Sequence, residues 1–193
     1  MNNYVYALDI GANQTSNLTS NSTTLQKFTG ANATVNISNS ATLERANQPV
    51  LVNEQSGGTV TVESGSTISA TVANTIQGID SANLTVTNSG TIQAGTSKAI
   101  NLTDNEGARV TNNAGGIIKS DTNTISLSEN DEDVVDDIII TNHGTIFATD
   151  NSDTSGHNVI KSSDGVTNLT INNEKGGHIY HGTDKAVILL GGD

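Results

Sequence analysis

Acidic side chains cluster in one short segment of this sequence, residues 129–137, which we call the acidic segment. Its six carboxylates are Glu129, Asp131, Glu132, Asp133, Asp136 and Asp137. Carboxylate oxygens bind hard cations such as Ca²⁺, but the segment lacks the glycine and the ligand spacing of an EF-hand loop. A block of like charges is more typical of a solvated interaction segment. We therefore predict a solvent-exposed acidic loop and no bound metal or other cofactor.

Two histidines near the end of the sequence, His178 and His181, could form a metal site together with Asp184. A spacing of three residues places two side chains on opposite faces of a strand, and the sequence contains no cysteine. A polysaccharide lyase or hydrolase would need paired carboxylates, or a cation and a strong base beside an acidic sugar. Only Arg45 and Arg109 supply guanidinium groups, and no aromatic platform for sugars is evident. The sequence thus predicts neither a metal centre nor an enzyme.

The composition limits the kind of core that can position these residues. Hydrophobic residues make up 33% of the 193 residues and aromatic residues 3%, with a net charge of -12. Such values are typical of disordered chains, but Val, Ile and Leu here alternate with polar residues and Pro occurs once. We therefore expect an ordered chain with a narrow aliphatic core.

The charge balance and the apolar runs exclude two classes of partner. Eight Lys and Arg residues against twenty Asp and Glu offer no basic surface for the phosphates of nucleic acid. No apolar run is long enough to span a bilayer, and residues 1–10 lack the basic start and apolar stretch of a signal peptide. An export signal, if the protein is exported, is expected outside this sequence.

An internal repeat dominates the sequence from residue 33 onward. Pairs of apolar residues two positions apart recur, and this spacing places both side chains on one face of a strand. The pairs are Val35/Ile37, Val60/Val62, Leu84/Val86, Ala108/Val110, Ile138/Ile140 and Leu169/Ile171. The second members of the first four pairs recur about every 24 residues, a period typical of solenoids. The last two steps are longer and therefore contain insertions.

Three further sets of residues recur after each pair. A polar column two positions on, mostly Asn, predicts a corner with left-handed backbone whose amides hydrogen bond from coil to coil. It comprises Asn39, Ser64, Asn88, Asn112, Asn142 and Asn173. A second inward side is predicted at Leu43, Ile68, Ile92, Ile117, Ile146 and Ile179. A third is predicted at Val50/Val52, Ile76, Ile100/Leu102, Ile125/Leu127, Ile160 and Val187/Leu189.

This pattern predicts an all-β fold, a right-handed parallel β-helix of about six to seven coils, with roughly 24–31 residues and three short strands per coil. The strict hexapeptide of left-handed helices and the signatures of leucine-rich and calcium-binding nonapeptide repeats are missing. Residues 1–32 are predicted as an N-terminal strand or degenerate first coil, and residues 33–193 as one continuous solenoid. The abrupt end after an apolar strand leaves end-to-end self-association as an alternative.

Threonine is frequent at the predicted outward positions beside the first strand. The outward columns are predicted as Ser38, Glu63, Thr87, Thr111, Thr141, Asn172 and as Asn36, Thr61, Thr85, Arg109, Ile139, Thr170. Charges interrupt both columns, which disfavours an ice-binding array. Threonine at these positions is predicted to serve as a β-forming residue on an exposed face.

The coils resemble the passenger domains of Gram-negative autotransporters. The resemblance is carried by residues 84–92, Leu-Thr-Val-Thr-Asn-Ser-Gly-Thr-Ile, followed by residues 98–102, and by residues 138–146, and it covers about residues 33–190. It implies a protein secreted or displayed at the outer membrane through a C-terminal β-barrel that this sequence does not contain. The resemblance therefore informs the expected location more than the activity.

The expected function is adhesion or host and cell-surface interaction by a non-catalytic rod. Insertions in repeat proteins map to loops, often on the binding face. Besides the acidic segment, residues 150–157 lie in an insertion and contribute Asp150, Asp153 and His157; we call them the second polar segment. We expect both segments to project together and to bind a cell-surface protein or glycan, with basic partners favoured. The alternatives are a β-helical carbohydrate-active enzyme, a phage tailspike-like fibre and a stacking filament.

Overall fold

The computed structural model describes residues 7–128, 135–149, 157–163, 165–183 and 186–191. Within these residues the secondary structure consists of 21 strands, and no helix there is long and apolar enough to cross a membrane. The strands are β1 (Ala7–Ile10), β2 (Thr15–Leu18), β3 (Leu25–Phe28), β4 (Thr34–Ile37), β5 (Thr42–Arg45), β6 (Leu51–Asn53), β7 (Thr59–Val62), β8 (Thr67–Ala70), β9 (Ile76–Ala82), β10 (Thr85–Asn88), β11 (Thr91–Ala94), β12 (Ile100–Glu106), β13 (Arg109–Asn112), β14 (Ile117–Ser120), β15 (Ile125–Ser128), β16 (Ile139–Asn142), β17 (Thr145–Ala148), β18 (Ile160–Ser162), β19 (Thr170–Asn173), β20 (His178–His181) and β21 (Ile188–Leu189).

The strands form three parallel sheets. Sheet A has eight strands in the order β1-β3-β6-β9-β12-β15-β18-β21, and sheet B has seven in the order β2-β4-β7-β10-β13-β16-β19. Sheet C has six in the order β5-β8-β11-β14-β17-β20. The chain visits sheets A, B and C in turn, and each strand pairs with the equivalent strand one turn later. The predicted fold class, a parallel β-helix with three short strands per coil, is confirmed.

The first turn is shorter than the others. Thr15 pairs with Thr34, whereas in the next turn Thr34 pairs with the more distant Thr59. The third side of the first turn is an isolated parallel bridge between Ser22 and Leu43 instead of a full strand. Strands β1 and β2 nevertheless continue sheets A and B without a break.

Stacked aliphatic side chains fill the interior. Each sheet contributes an inward column whose members in the middle turns are almost completely buried, and burying one such side chain stabilises the fold by about 1.5–3 kcal/mol. The columns include Val35, Val60, Val86, Val110 and Ile140 in sheet B, Leu43, Ile68, Ile92, Ile118 and Ile146 in sheet C, and Leu51, Ile76, Ile100, Ile125 and Ile160 in sheet A. Leu169, Ile171 and Ile179 in the last turn are only half-buried.

The register between β7 and β10 differs from the prediction. Val60 lies opposite Val86, and Val62 lies opposite Asn88, whereas the sequence predicted Val62 opposite Val86. A shift of this size, two positions along the strand, keeps the same side chains on the inner face, so the apolar pattern fits either register. Leu84, predicted to start the strand, is buried just before it.

Three other inward assignments are wrong by one position. Ile118, which is fully buried, occupies the inner column of sheet C, and Ile117 faces outward. Leu51 is aligned with Ile76, so Val52 faces outward. Ile188, not Leu189, is aligned with Ile160. In each case two adjacent apolar residues left the strand's face ambiguous.

The predicted asparagine column is an inward ladder instead of a corner. Asn88, Asn112, Asn142 and Asn173 are the last residues of their sheet B strands, and none has a positive φ. In the observed register this column continues with Val62 and Ile37, so Ser64 and Asn39 do not belong to it. Asn39 does have a positive φ of 58°.

Left-handed backbone does occur at the predicted corner between sheets B and C, at Asn39, Ser40, Gly65, Gly115 and Gly176, although not in the asparagine column itself. It is more regular at the corner immediately before sheet B. One residue per turn adopts a positive φ there, and six of the seven are Asn or Gly, which tolerate this conformation. They are Asn13, Asn32, Gly57, Asn83, Gly107, Asp137 and Asn168, with φ between 47° and 75°. An added Cβ on Gly107 would lie 2.6 Å from Oδ1 of Asn83, so these residues are closely stacked.

Candidate functional site

The three outer faces of the helix differ in what they offer a partner. In the middle turns of sheet A the outward side chains Asn101, Thr103 and Ser126 are each at most 9% exposed. This part of the face therefore offers a partner little accessible surface. Sheet B presents half-buried threonines. Sheet C presents a groove with mixed polar and charged walls.

Most of the predicted binding residues lie outside the described residues. These are Glu129, Asp131, Glu132, Asp133, Asp150 and Asp153. The acidic segment begins after β15 of sheet A and ends just before β16 of sheet B, whereas the second polar segment connects β17 of sheet C to β18 of sheet A. The two insertions thus start at corners on opposite ends of the sheet A strands. Their joint projection from one side stays a prediction.

The described residues of the acidic segment bond to neighbouring turns. Oδ1 of Asp136 accepts hydrogen bonds from Oγ1 of Thr167 at 2.7 Å and Nδ2 of Asn168 at 2.8 Å. These bonds, with one from the backbone N–H of Asp137, hold the pKa of Asp136 below its ordinary value. They favour the charged form of the carboxylate. Asp136 therefore helps to fix this corner.

Asp137 is bound to the preceding turn. Its carboxylate accepts a hydrogen bond from the guanidinium of Arg109 at 2.7 Å, and Arg109 also donates to the carbonyl of Asp137. Both side chains are partly exposed, so the ion pair contributes at most about 1 kcal/mol. The third described residue, His157, lies at the end of the second polar segment and is partly buried.

The histidines do not converge on a metal site. His178 and His181 are the first and last residues of β20, and they alternate between the exposed and inner sides, as their spacing predicts. Nδ1 of His181 is 3.1 Å from the backbone nitrogen of Thr183, which donates to it. Asp184 lies outside the described residues. In the part of the chain that the structure describes, no group of three His, Cys, Asp or Glu side chains is placed to bind a metal ion.

A groove of about 310 Å³ follows the outer side of sheet C over four turns. That size is at the lower end of the range for small-ligand sites. One wall consists of outward strand residues, and the other consists of residues directly after the strands. The walls are Glu44, Ser69, Gln93 and Lys119 on one side and Thr71, Gly95, Asp121 and Thr149 on the other.

The local sequence explains the shape of the groove. Strands β8 and β11 end in the small inward residues Ala70 and Ala94, and the chain then turns toward sheet A. At Gly95 an added Cβ would lie 2.3 Å from the carbonyl oxygen of Thr71, so this position requires glycine. The wall that contains Thr71 and Asp121 therefore has no side chain at Gly95, next to Gln93.

Hydrogen bonds hold several groove side chains in place. Nε2 of Gln93 donates to Oγ of Ser69 at 3.2 Å, and Oγ1 of Thr149 donates to the carboxylate of Asp121. Glu44 and Lys119 have no ion-pair partner among the described residues. The groove therefore combines amide, hydroxyl, carboxylate and ammonium groups, with two carboxylates against one ammonium.

An aromatic stack, which the sequence did not reveal, continues the outward line of the groove. Phe147 pairs in register with Lys119, and Tyr180 pairs with Phe147. The two rings are stacked with centroids 5.1 Å apart and an interplanar angle of 6°. Their wide separation in the sequence hides this contact. It becomes visible once Ile146 and Ile179, which precede them, are aligned as equivalent inward residues.

The observed register also changes the outward columns of sheet B. One column is Thr15, Thr34, Thr59, Thr85, Arg109, Ile139 and Thr170, and the other is Asn17, Asn36, Thr61, Thr87, Thr111, Thr141 and Asn172. The second column contains no charge, so the prediction that charges interrupt both was wrong. Threonine occupies both positions in only two of these seven rungs, those of β7 and β10. The array of paired threonines is therefore too short to form the regular surface that ice binding would need.

Comparison with protein-family models, curated proteins and solved structures gives no match. The class of protein is therefore defined by its own geometry, a parallel β-helix with a polar groove and an aromatic stack along one outer face.

Proposed function

We propose that this chain is a non-catalytic adhesive rod, secreted from or displayed on a Gram-negative bacterium in the manner of an autotransporter passenger. The single observation that supports it best is the groove along sheet C. The groove gives a partner a continuous line of polar side chains from Glu44 to Lys119, extended by Phe147 and Tyr180.

The β-helix suits this role because it holds the groove rigid. Parallel pairing joins every rung of sheet C to the next, so the spacing of the groove side chains is set by the backbone. The interior is filled by stacked aliphatic residues, which leaves the outer faces for recognition. A preorganised surface lowers the entropy that binding costs.

The groove is a better candidate contact than the described part of the acidic segment. Asp136 and Asp137 already accept hydrogen bonds from Thr167, Asn168 and Arg109. In contrast, Glu44 and Lys119 have no ion-pair partner among the described residues. We retain the acidic and second polar segments as the alternative contact, favoured by a basic partner.

Adherence of purified rods to host cells and to neighbouring bacteria tests this proposal. The groove variant carries Gln93→Ala and Lys119→Ala, and the matched control carries Thr61→Ala and Thr87→Ala on sheet B. A third protein lacks residues 129–134 and 150–156. We expect the groove variant to lose at least about tenfold in affinity, because interface residues that carry binding each contribute more than about 1 kcal/mol.

The control and the trimmed protein should bind like wild type, and all four should unfold at similar temperatures. A folded groove variant that adheres like wild type would contradict the proposal. Loss of adherence in the trimmed protein alone would show that the acidic and second polar segments, and not the groove, make the contact.

A further inference from the structure

We infer that the groove on sheet C binds a neutral oligosaccharide whose chain lies parallel to the axis of the rod. This inference rests on the proposed function, since it names the ligand of the proposed contact surface. It follows from the chemistry of the groove walls, their charge balance and the spacing of the rungs.

The groove walls can satisfy a ligand that carries many hydroxyl groups. A sugar hydroxyl both donates and accepts, so its site needs both kinds of partner. Lys119 only donates, Glu44 and Asp121 accept, and the amide of Gln93 does both. The hydroxyls of Ser69 and Thr71 also combine both roles, and the hydroxyl of Thr149, which donates to Asp121, can still accept. Carboxylate, hydroxyl, amide and ammonium groups therefore follow one another along the strand wall from Glu44 to Lys119.

The charge balance of the groove favours a neutral ligand. Asp121 closely follows Lys119 in the chain and lies on the opposite wall, and Glu44 lies at the far end. The nearby carboxylate opposes an anionic sugar at Lys119, as does the chain's net charge of -12. A cationic ligand would meet the ammonium of Lys119, which is on the fourth of the six strands between Glu44 and Tyr180. Neither kind of charged polymer is complementary to the whole groove.

The spacing of the rungs suits an extended chain of sugars. Neighbouring parallel strands lie about 4.8 Å apart, so the three steps from Glu44 to Lys119 span about 14 Å. Two more steps bring the line to Tyr180, about 24 Å from its start. A pyranose with its linkage is about as long as one step. Each ring of an axially aligned oligosaccharide therefore meets one outward side chain.

The aromatic stack supplies an apolar contact at one end of the line. Sugar rings have C–H faces that pack against aromatic surface. The facing sides of Phe147 and Tyr180 cover each other, but Tyr180 is still 45% exposed. The exposed part of Tyr180 is therefore the surface against which a terminal sugar would pack.

A panel of immobilised oligosaccharides tests the inference with the full chain. It contains linear neutral hexose oligomers of about two to six rings, uronic-acid oligomers of the same lengths, and a basic and an acidic peptide. We expect binding to a neutral series, with affinity that increases with length to about five rings. This binding should change less than about twofold between low and high salt, because screening acts on charged partners.

Two groove variants and a control make the result specific. Gln93→Ala and Tyr180→Ala should each weaken binding at least about fivefold, and Thr87→Ala on sheet B should leave it unchanged. All three substitutions are at outward positions, and thermal unfolding checks that each variant is folded. Wild-type affinity for the neutral series in both groove variants would overturn the inference.

Two further outcomes separate this inference from the proposed function. Groove-dependent adherence to cells without any neutral oligosaccharide binding, or with salt-sensitive binding to charged sugars or peptides, would overturn the inference and leave the proposed function intact. Adherence that does not depend on the groove would overturn both.

Discussion

Nδ2 of Asn112 donates a 2.8 Å hydrogen bond to Oδ1 of Asn142, which lies 30 residues away in the sequence and one rung away in the helix. Equivalent 2.8 Å bonds join Asn88 to Asn112 and Asn142 to Asn173. Asn88, Asn112 and Asn142 are completely buried. An unpaired amide there would cost about 1–3 kcal/mol, so the ladder helps to specify the register of sheet B.

Replacing Asn142 tests the ladder. Both Asn142→Val and Asn142→Gly remove its bonds to Asn112 and Asn173, and we expect each to destabilise the fold by about 2–4 kcal/mol in urea unfolding. Glycine should be no better than valine, because Asn142 is in a strand where glycine adds flexibility. Asn173→Val, at the exposed end, should cost less. If the glycine variant were clearly more stable than the valine variant, Asn142 would have a left-handed backbone, as the sequence predicts.

Replacing Asn83 tests the observed corner. Asn83 has a φ of 58°, and Gly57 and Gly107 occupy the same position in the adjacent turns. We expect Asn83→Gly to change the free energy of unfolding by only a few tenths of a kcal/mol, and Asn83→Val to cost about 1–2 kcal/mol. The residue is exposed, so burial does not contribute to the difference. Equal stability of the two variants would contradict the assignment.

Charged substitutions test the inner and outer faces. Val86 is 1% exposed and Ile140 is completely buried. An aspartate at either position would bury an unpaired carboxylate, so Val86→Asp and Ile140→Asp should each cost about 4 kcal/mol or more, or prevent folding. Thr87→Asp, at the next position on the outer face, should cost less than about 1 kcal/mol. Wild-type melting of either inward variant would show that the face is misassigned.

The carboxylate of Asp136 should make stability depend on pH in the acid range. Its pKa is lowered from an ordinary value of 3.8, chiefly by the hydrogen bond from Thr167. A lowered pKa stabilises the fold above the ordinary value, and this contribution is lost as pH falls through the folded pKa. The difference in Tm between wild type and Asp136→Asn should thus be constant from pH 7 to about 5 and shrink below about 4. A difference in Tm that grows as the pH falls would contradict this prediction.

The sequence predicted the fold because the repeat leaves few alternatives. Pairs such as Val35/Ile37 and Ile138/Ile140 indicate strands of period two, and the recurrence of three such sides indicates a β-helix. The register was harder to predict, since Val60 can be aligned with Leu84 or with Val86 without changing which side chains face inward. The corner residues Gly57 and Asn83 resolve this choice, because both adopt a positive φ.

The candidate site was less predictable. Lys119, Phe147 and Tyr180 share one outward column, but they are far apart in the sequence, and insertions obscure their equivalence. The acidic segment is conspicuous because its charges are contiguous in the sequence. Its two described carboxylates instead bond to neighbouring turns. Neighbouring charges can be recognised in a single sequence. A line of side chains that crosses several strands can be recognised only when the strand register is known.

Methyl NMR of threonine-labelled protein during titration with neutral oligosaccharides tests most directly whether the sheet C groove is the binding face. Thr71 and Thr149 line the groove, whereas Thr61 and Thr87 lie on the outer face of sheet B and Thr167 is bonded to Asp136. We predict ligand-dependent shifts at Thr71 and Thr149, with the other three unchanged. Shifts at Thr61 and Thr87, or at Thr167 alone, would contradict the account and place the contact on sheet B or beside the acidic segment.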